Sequence, residues 1–399
     1  MAFIAYNQKK NGGVIHMFTP ETSKHFVPYT DPVTGVVSYL LRNETAPLQK
    51  MCYYVSKNWS RDERYFWIVT AFPPSGWMEG SAFTAACIDF ETDEIYFHPD
   101  IQGYGSCVDQ DTGELYYRTD NLILKKGPRS DSPVVRIGRC PAKYRLFPGN
   151  MGTHLTFSAD HKELCCDIHS GNEMYLTSLD IESGVFTEWH HRHGGWNHAQ
   201  FNPVDNDLIM FAMEYWQDLK TGERKIIEYD ENDHRMRTWT IRRGDPDAVL
   251  HSPLFREQTH EWWSSDGRYI YYCDVDHGVG RINYQTGEHI MLPIPYSWHA
   301  HSSEDDRYFC SDTKILPEGQ AFYRGAASAT MFTDIQTGKN VVMISENPAL
   351  YQPDEPCVYH IDPHPRFVFN DKYVAQVTTV TGQVTVAFTP VSPLKEKTK

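Results

Sequence analysis

The stretch 258-QTHEWWSSDGRYIYY-272 contains a histidine, an aspartate six residues later in a polar turn, and then an aromatic run. The stretches 295-PYSWHAHSSEDDRYFCSD-312 and 152-GTHLTFSADHKELCC-166 have the same layout. The histidine and aspartate of the three copies are His260 and Asp266, His299 and Asp305, and His154 and Asp160. Recurrence of this kind indicates a repeat protein, and the repeated histidine requires an explanation.

A second element recurs between these copies. It is an acidic or amide residue, followed three and four positions later by Thr or Ser and then by Gly. Clear copies lie at residues 31–35, 180–184, 283–287 and 334–338, and weaker ones at 89–93 and 229–233. Each lies between two runs rich in β-branched and aromatic residues, as expected of a hairpin turn.

The two repeats together define a four-stranded unit, because two strands separate each histidine turn from the next Thr-Gly turn. Units of this size, without helical segments, are typical of β-propeller blades. The predicted blades start near Ser56, Tyr104, His154, His198, His260, His299 and His364. The sequence therefore predicts an all-β, seven-bladed β-propeller as a single domain over residues 1–399, in which the N-terminal strand completes the last blade.

Composition limits the classes of function. The chain has 399 residues, 14% of them aromatic, and a formal net charge of −15, which argues against nucleic-acid binding. No apolar run approaches the length of a membrane span, and the N-terminus resembles no signal peptide. Nine scattered cysteines without a CxxC pair favour reduced thiols and a reducing compartment. We expect a cytoplasmic protein without a membrane or nucleic-acid partner.

Propeller geometry gives a reason for the repeated histidine. The first strand of each blade lines the central channel, so residues at its start surround one mouth of the channel. The equivalent histidines are His154, His198, His260, His299 and His364. The long connections at residues 72–83, 213–224 and 312–328 are expected on the same side, where sites are usually built. A structural histidine that binds a neighbouring turn is the alternative, but packing five together would leave many ring nitrogens to satisfy.

The segment 359-YHIDPHPRF-367 adds possible metal ligands. His360, Asp362 and His364 alternate, so they share one face of a strand. With His299 from the adjacent blade they offer up to four nitrogen and oxygen ligands, which suits manganese, zinc, iron or nickel and admits calcium. The alternative is a hydrogen-bonded His–Asp pair without a metal.

Other residues are candidates for catalysis or substrate binding. His260 is a candidate general base, because a neighbouring metal disfavours its protonation; the alternative is a further metal ligand. Arg224 closes a long loop and can reach over the mouth, unless it is a solvated surface arginine. The candidates for substrate binding are His154, His198, Arg192 in the loop 189–196, and Tyr323 and Arg324 in another long loop. For the loop residues, a solvated surface role is the alternative.

At these residues the chain resembles the oligogalacturonate lyases, seven-bladed propellers that cleave uronic-acid oligosaccharides by β-elimination with a bound divalent metal, usually manganese. The resemblance rests on GWNHAQFNPVDND (195–207), QTHEWWSSDG (258–267), SWHAHSSEDD (297–306) and DPHPRFVFND (362–371). It implies that His260 is the base, that His299 and His364 bind the metal, and that Arg224 lies near the reacting sugar. Asp362 replaces a histidine of the family's Gln-x-x-His-x-His segment.

The resemblance implies a lyase that acts on an acidic oligosaccharide or polysaccharide. Removal of the proton next to a uronate carboxylate builds negative charge, which a metal or an arginine stabilises while a histidine takes the proton. A propeller hydrolase that cleaves a rhamnose–uronate linkage is the first alternative, although it would require two carboxylates across the bond. A non-catalytic binding propeller is the second.

Overall fold

The computed structural model describes residues 17–73, 83–102, 104–145, 151–152, 154–214, 216–217, 220–225, 229–251, 254–255, 258–274, 276–316, 318, 320, 325–351 and 361–399. At residues 104, 105, 216, 217, 224 and 225 it describes the backbone alone. Within these ranges, no helix is long and apolar enough to cross a membrane.

The described strands form seven sheets of four or five strands, which are the blades of a β-propeller. The first two strands, β1 (Phe26–Thr30) and β2 (Val37–Leu41), belong to the last blade. Blade 1 contains β3 (Leu48–Lys50), β4 (Tyr65–Ala71), β5 (Phe83–Asp89) and β6 (Glu94–His98). Blade 2 contains β7 (Tyr104–Val108), β8 (Leu115–Thr119), β9 (Leu122–Lys126) and β10 (Val134–Arg139), followed by a 3-10 turn at Ala142–Tyr144. Blade 3 contains β11 (Thr156–Phe157), β12 (Glu163–Ser170), β13 (Glu173–Asp180) and β14 (Phe186–His193).

The remaining blades repeat this order. Blade 4 contains β15 (Gly195–Phe201), β16 (Leu208–Glu214), β19 (Thr238–Arg242) and β20 (Val249–His251), with a small hairpin of β17 (Trp216–Gln217) and β18 (Arg224–Lys225) between its second and third strands. Blade 5 contains β21 (Thr259–Trp263), β22 (Tyr269–Asp274), β23 (Gly278–Asn283) and β24 (His289–Met291). Blade 6 contains β25 (His299–Ser302), β26 (Tyr308–Lys314), β27 (Ser328–Asp334) and β28 (Lys339–Asn347). Blade 7 contains β29 (Arg366–Val368), β30 (Tyr373–Thr378) and β31 (Thr385–Pro390), and the chain ends in α1 (Val391–Lys397).

Closure of the ring follows the prediction. Blade 7 has the order β1-β2-β31-β30-β29, so the N-terminal hairpin supplies its two outer strands. The register pairs Tyr39 with Phe388 and Leu40 with Ala387. Pairing the start of the chain with its end joins the first and last blades without a covalent link.

Short polar turns connect the strands as the repeats predicted. In the Thr-Gly turns an Asx side chain accepts the following amides, as when Asp180 Oδ1 accepts from Ser183 N at 2.7 Å. In the histidine repeats, Ser264 Oγ donates to Asp266 Oδ1 at 2.8 Å and accepts from Tyr269 N at 2.9 Å. Both kinds of turn lie at the end of the propeller opposite the starts of the inner strands, because strands alternate in direction.

The first strand of each blade is the inner one. Strand β11 contacts β15, β21 contacts β25, and β25 contacts β29, all across blade boundaries. The channel mouth, defined here as the end where these inner strands begin, therefore receives residues from several blades at once.

Apolar side chains fill the wedges between blades. Between the last and first blades, Phe26, Phe66, Phe90, Phe369 and Phe388 form one cluster with edge and stacked ring contacts. Burying one such ring stabilises the fold by about 1.5–3 kcal/mol. This cluster reinforces the closure made by the strands. The eight cysteines of the described residues are buried and free, in agreement with reduced core thiols.

Two local expectations were wrong. The first blade was expected to start near Ser56, but its inner strand begins at Leu48 and resumes where Trp59 bridges to Phe66. The residues between them leave the ladder and enter the channel. The segment 189–196 was expected to be a loop, but Phe186–His193 is the outer strand of blade 3 and pairs with β13. Most of its side chains are exposed, as on an edge strand, and only Trp189 is buried.

Candidate active site

Five buried histidines form an arc at the channel mouth. Their ring centroids are separated by 5.0 Å (His154 and His198), 6.2 Å (His198 and His260), 4.1 Å (His260 and His299) and 4.0 Å (His299 and His364). We call this set the histidine arc. The sequence repeat therefore located side chains that lie together in space.

The backbone is bent to bring these side chains into the channel. His198, His260 and His364 have φ values of 54°, 51° and 44°, which are left-handed and costly for a residue with a Cβ. At His198 and His260 the pairing with the second strand shifts register, as in a β-bulge. A bulge re-aims a side chain that would otherwise follow the strand alternation. A left-handed backbone conformation thus recurs at the histidine in different blades and directs the imidazole rings into the channel mouth.

His299, Asp362 and His364 form a possible metal-ligand group. One donor atom from each lies within 4.8 Å of the others, and all three residues are buried. Two imidazoles and a carboxylate are ligands that manganese, zinc and iron accept in proteins. His360, the fourth expected ligand, lies outside the described residues.

Asp312 orients the first of these ligands. Its Oδ2 accepts from His299 Nδ1 at 2.9 Å, and its Oδ1 accepts from the His299 amide at 2.8 Å. The proton is thereby held on Nδ1, and Nε2 keeps a lone pair. Among the described residues, that buried Nε2 has no hydrogen-bond partner. A carboxylate–histidine pair with the other nitrogen available is the usual arrangement behind a metal, so the residues present fit a divalent cation.

Lys314 also takes part in this group. Its ammonium pairs with Asp362 Oδ1, and both side chains are only 1% exposed. The pair borders a cleft between blades 6 and 7, which Asn347 and Thr378 also line. The Lys314 ammonium offsets the negative charge of Asp362, and it competes with a metal for the same carboxylate oxygen.

His260 is placed to be a neutral base. Burial, and then the neighbouring His299, His198 and Arg237, lower its pKa well below the ordinary value. Thr259 Oγ1 lies 3.2 Å from its Nδ1, and the Trp298 ring lies 5.2 Å from its ring. The imidazole therefore keeps an unprotonated nitrogen at neutral pH, which a proton acceptor requires.

Arg237 lies between two carboxylates behind His198, and sequence reasoning missed it. It pairs with Glu214, while its Nε and Nη2 donate to the Glu261 carboxylate at 2.5 and 3.2 Å. Its Nη2 is also 3.4 Å from His198 Nδ1. Burial would raise the pKa of both glutamates, but the guanidinium outweighs burial and holds each pKa below the ordinary range. Nothing in the sequence distinguishes Arg237 from its neighbouring arginines.

Two tyrosines of the segment that leaves the first blade enter the arc, and no sequence pattern pointed to them. Tyr53 stacks on His154 with ring centroids 4.1 Å apart, and its ring lies 5.2 Å from His364. Tyr54 is fully buried, lies 5.9 Å from His260, and donates to the Glu261 carbonyl at 3.1 Å. We call the space bounded by the histidine arc and these two rings the cup.

Of the other predicted residues, Arg192 is not brought to this cup. Arg192 is exposed on the outer strand of blade 3, with its guanidinium 5.2 Å from the Trp196 ring and 5.1 Å from the Trp239 ring. Arg224 is described only as backbone in β18. Tyr323 and Arg324 lie outside the described residues. The substrate-binding and catalytic roles of these four residues stay predictions.

A second group of possible ligands lies at the opposite end of the propeller. Asp109, Asp111 and His161 approach one another in the turns of blades 2 and 3. Arg61 Nε donates to Asp111 at 2.8 Å, and Asp111 is exposed. Partly solvated and already paired, this group resembles an ordinary turn cluster.

The fold has counterparts among solved structures. An oligogalacturonate lyase in complex with manganese superposes with a TM-score of 0.72 and 17% identity, over 94% of this chain and 97% of that one. An oligogalacturonate lyase from Vibrio parahaemolyticus gives a TM-score of 0.71 and 15% identity, over 92% and 97%. The sequence matches neither a protein-family model nor a curated protein. At these identities the comparison establishes the architecture: the chain has the seven-bladed propeller fold of the oligogalacturonate lyases.

Proposed function

We propose that this protein is a carbon–oxygen lyase that cleaves uronic-acid-containing oligosaccharides or polysaccharides by metal-assisted β-elimination. The observation that carries the proposal is the position of His260, buried, with a lowered pKa, and in ring contact with His299 of the metal-ligand group. The fold shared with two oligogalacturonate lyases supports it.

Residues His299, Asp362 and His364 would hold the cation, with His299 oriented by Asp312. Manganese is the expected ion, and zinc or calcium also suits these ligands in part. When bound, a divalent cation supplies a Lewis acid for the uronate carboxylate. His360 stays a predicted fourth ligand.

The chain's own residues perform the proton transfer. His260 takes the C5 proton, the electrons of the broken C–H bond form the C4=C5 double bond, and the C4–O4 bond breaks. A general base in this position contributes typically about 10²–10⁴-fold to the rate. Because His260 is already unprotonated, no proton has to be lost before the reaction begins.

Recognition of an acidic substrate requires local positive charge, because the chain carries a net charge of −15. Within the described residues, Arg237 and Lys314 bring cations to the cup, and each is partly balanced by carboxylates. Because carboxylates partly neutralise both cations, a bound metal would be the main positive charge that attracts a uronate carboxylate. Trp298, next to His260, offers an aromatic face on which a sugar ring can stack.

Three described carboxylates around the cup argue against hydrolysis by a pair of acids. A glycoside hydrolase needs one carboxyl group with a raised pKa to protonate the leaving oxygen. Here Glu214 and Glu261 have lowered pKa values beside Arg237, and Asp362 is paired with Lys314. Glu214 and Glu261 are therefore set up to remain ionised, and Asp362 is engaged by an ammonium.

The test is an absorbance assay for the unsaturated uronate product. Oligogalacturonides, ulvan, glucuronan and rhamnose-capped glucuronate would be supplied with manganese or with a chelator. We expect absorbance to rise on at least one substrate, to require the metal, and to vanish in His260→Ala. The variant His161→Asn, in the ligand-like cluster at the opposite end, is the control and should retain full activity. Release of reducing sugar without a rise in absorbance would indicate the hydrolase. No rise in absorbance and no release of reducing sugar would indicate a binding propeller.

A further inference from the structure

The segment between Leu48–Lys50 and Trp59 is held rigidly inside the channel. Arg366, which is 1% exposed, donates from Nη1 to the Tyr53 carbonyl at 3.2 Å and to the Ser56 carbonyl. The same guanidinium lies 4.7 Å from the Trp59 ring. A buried cation fixed to two backbone carbonyls sets the position of the tyrosines that this segment carries.

The two tyrosines differ in what their hydroxyl groups can do. Tyr54 is fully buried, and its hydroxyl donates to the Glu261 carbonyl, so it serves the packing of the channel. Tyr53 is half-buried at the mouth, and its hydroxyl lies 3.4 Å from His198 Nε2. Its ring lies parallel to that of His154, with an interplanar angle of 8°. Tyr53 is therefore the phenol that combines a fixed ring with access to the cup.

We propose that Tyr53 is the general acid of the reaction, a role that rests on the proposed function. As the C4–O4 bond breaks, the electron pair of that bond goes to O4, and the Tyr53 hydroxyl transfers its proton to that oxygen. His260 holds the proton removed from C5, so the substrate loses and gains one proton in the same event. The products are a 4,5-unsaturated uronate and an alcohol, and Tyr53 is left as a phenolate.

His198 is placed to return a proton to the Tyr53 phenolate. Its Nε2 faces the Tyr53 hydroxyl, and its Nδ1 lies 3.6 Å from Glu261 Oε2. Held between Glu261 and the Tyr53 hydroxyl, the imidazole can relay a proton from solvent to the phenolate after each turnover. The chemistry also needs such an acid, because an alkoxide is a strongly basic and therefore poor leaving group unless it is protonated as it departs.

The test uses Tyr53→Phe, which keeps the ring on His154 and removes only the hydroxyl. It is compared with the wild type on an oligosaccharide and on a uronate with a 4-nitrophenyl ether at O4, whose leaving group needs no proton. We expect kcat on the oligosaccharide to fall about 10²–10⁴-fold and the release of nitrophenolate to stay within about twofold of wild type. The manganese Kd, measured by calorimetry, should not change. The matched control Tyr54→Phe should show no such difference between the two substrates.

Three outcomes would overturn the assignment. Full activity of Tyr53→Phe on the oligosaccharide would remove Tyr53 from the chemistry while leaving the lyase intact. An equal loss on both substrates would make Tyr53 a positioning residue. A wild type that eliminates neither substrate would refute the proposed function, and Tyr53 as its acid with it.

Discussion

At the residue scale, the site depends on charges that are paired before any ligand arrives. Lys314 neutralises Asp362, Arg237 is held by two glutamates, and Asp312 holds His299. At least one partner of each pair is buried, where removal of the other leaves an uncompensated charge. We therefore expect a substitution at one of these pairs to change the metal affinity and the stability of the fold separately, and in some cases in opposite directions.

Replacing Lys314 by methionine should tighten metal binding. The variant removes the cation that competes for Asp362, so we expect the manganese Kd to fall by about tenfold or more, since each 1.4 kcal/mol is a tenfold change. Without metal the variant should melt at a lower temperature than the wild type, because Asp362 loses its partner. Calorimetric titration and thermal melts with and without manganese measure both effects. Lys372→Met, which removes an exposed partner of Glu63, is the control; a weaker metal affinity in Lys314→Met would contradict the competition.

Replacing Asp312 by alanine should weaken metal binding. The carboxylate fixes the Nδ1 proton and the ring orientation of His299, and loss of such a partner typically raises the metal Kd by about 10–100-fold. The same titration measures it. Asp334→Ala removes an aspartate at the other end of blade 6, paired with Arg307, and should leave the Kd unchanged. An unaltered Kd in Asp312→Ala would show that His299 does not bind the ion.

At the element scale, the ring is closed by the N-terminal hairpin and by the aromatic cluster beneath it. Strand β2 pairs with β31, and Phe388 of β31 contacts Phe26 of β1 and Phe66 of β4. One side chain thus joins the last blade, the N-terminal hairpin and the first blade. A propeller without this closure would leave strand edges exposed.

Replacing Phe388 by alanine should lower the free energy of unfolding by about 3–5 kcal/mol, the usual cost of emptying a buried phenylalanine site. Urea unfolding followed by tryptophan fluorescence measures it. Val33→Ala, at a side chain that is 78% exposed in the turn of the same hairpin, should change the value little. A cost for Phe388→Ala below about 1 kcal/mol would mean that the closure does not depend on this ring.

At the scale of the whole molecule, buried neutral histidines make the fold sensitive to acid. Burial lowers the pKa of His98 in blade 1 and of His251 in blade 4, each to about 4. Their unfolded-state pKa is about 6.5. Below pH 6.5 these two histidines bind protons in the unfolded chain but stay neutral in the folded chain. The free energy of unfolding is therefore retained above pH 6.5 and lost progressively toward pH 4.

We therefore expect the free energy of unfolding to fall between pH 6.5 and 4, by about 1–3 kcal/mol for each of these histidines. Urea unfolding at pH 7 and pH 4.5 measures the change. His251→Gln, which can still bind Thr240, should show a smaller fall than the wild type. If the two proteins lose the same amount, His251 is not a source of the acid sensitivity.

The sequence by itself determined the blades, the turns and the ring of histidines. These features are local: a turn depends on the few residues that make its hydrogen bonds, as at Asp180 and Ser264. A histidine repeated near the start of five inner strands lies at the same end of the channel in each. Once the repeat was recognised, the convergence of His154, His198, His260, His299 and His364 followed from geometry.

Only the tertiary structure decided which other groups meet those histidines. Tyr53 reaches His198 across 145 residues of sequence, and Arg366 reaches Ser56 across 310. Lys314 finds Asp362 only because blades 6 and 7 are neighbours. Contacts of this kind depend on the position of every blade after the ring has closed, and no local pattern encodes them. The proposed proton donor and the charge balance of the site were therefore visible only in the folded chain.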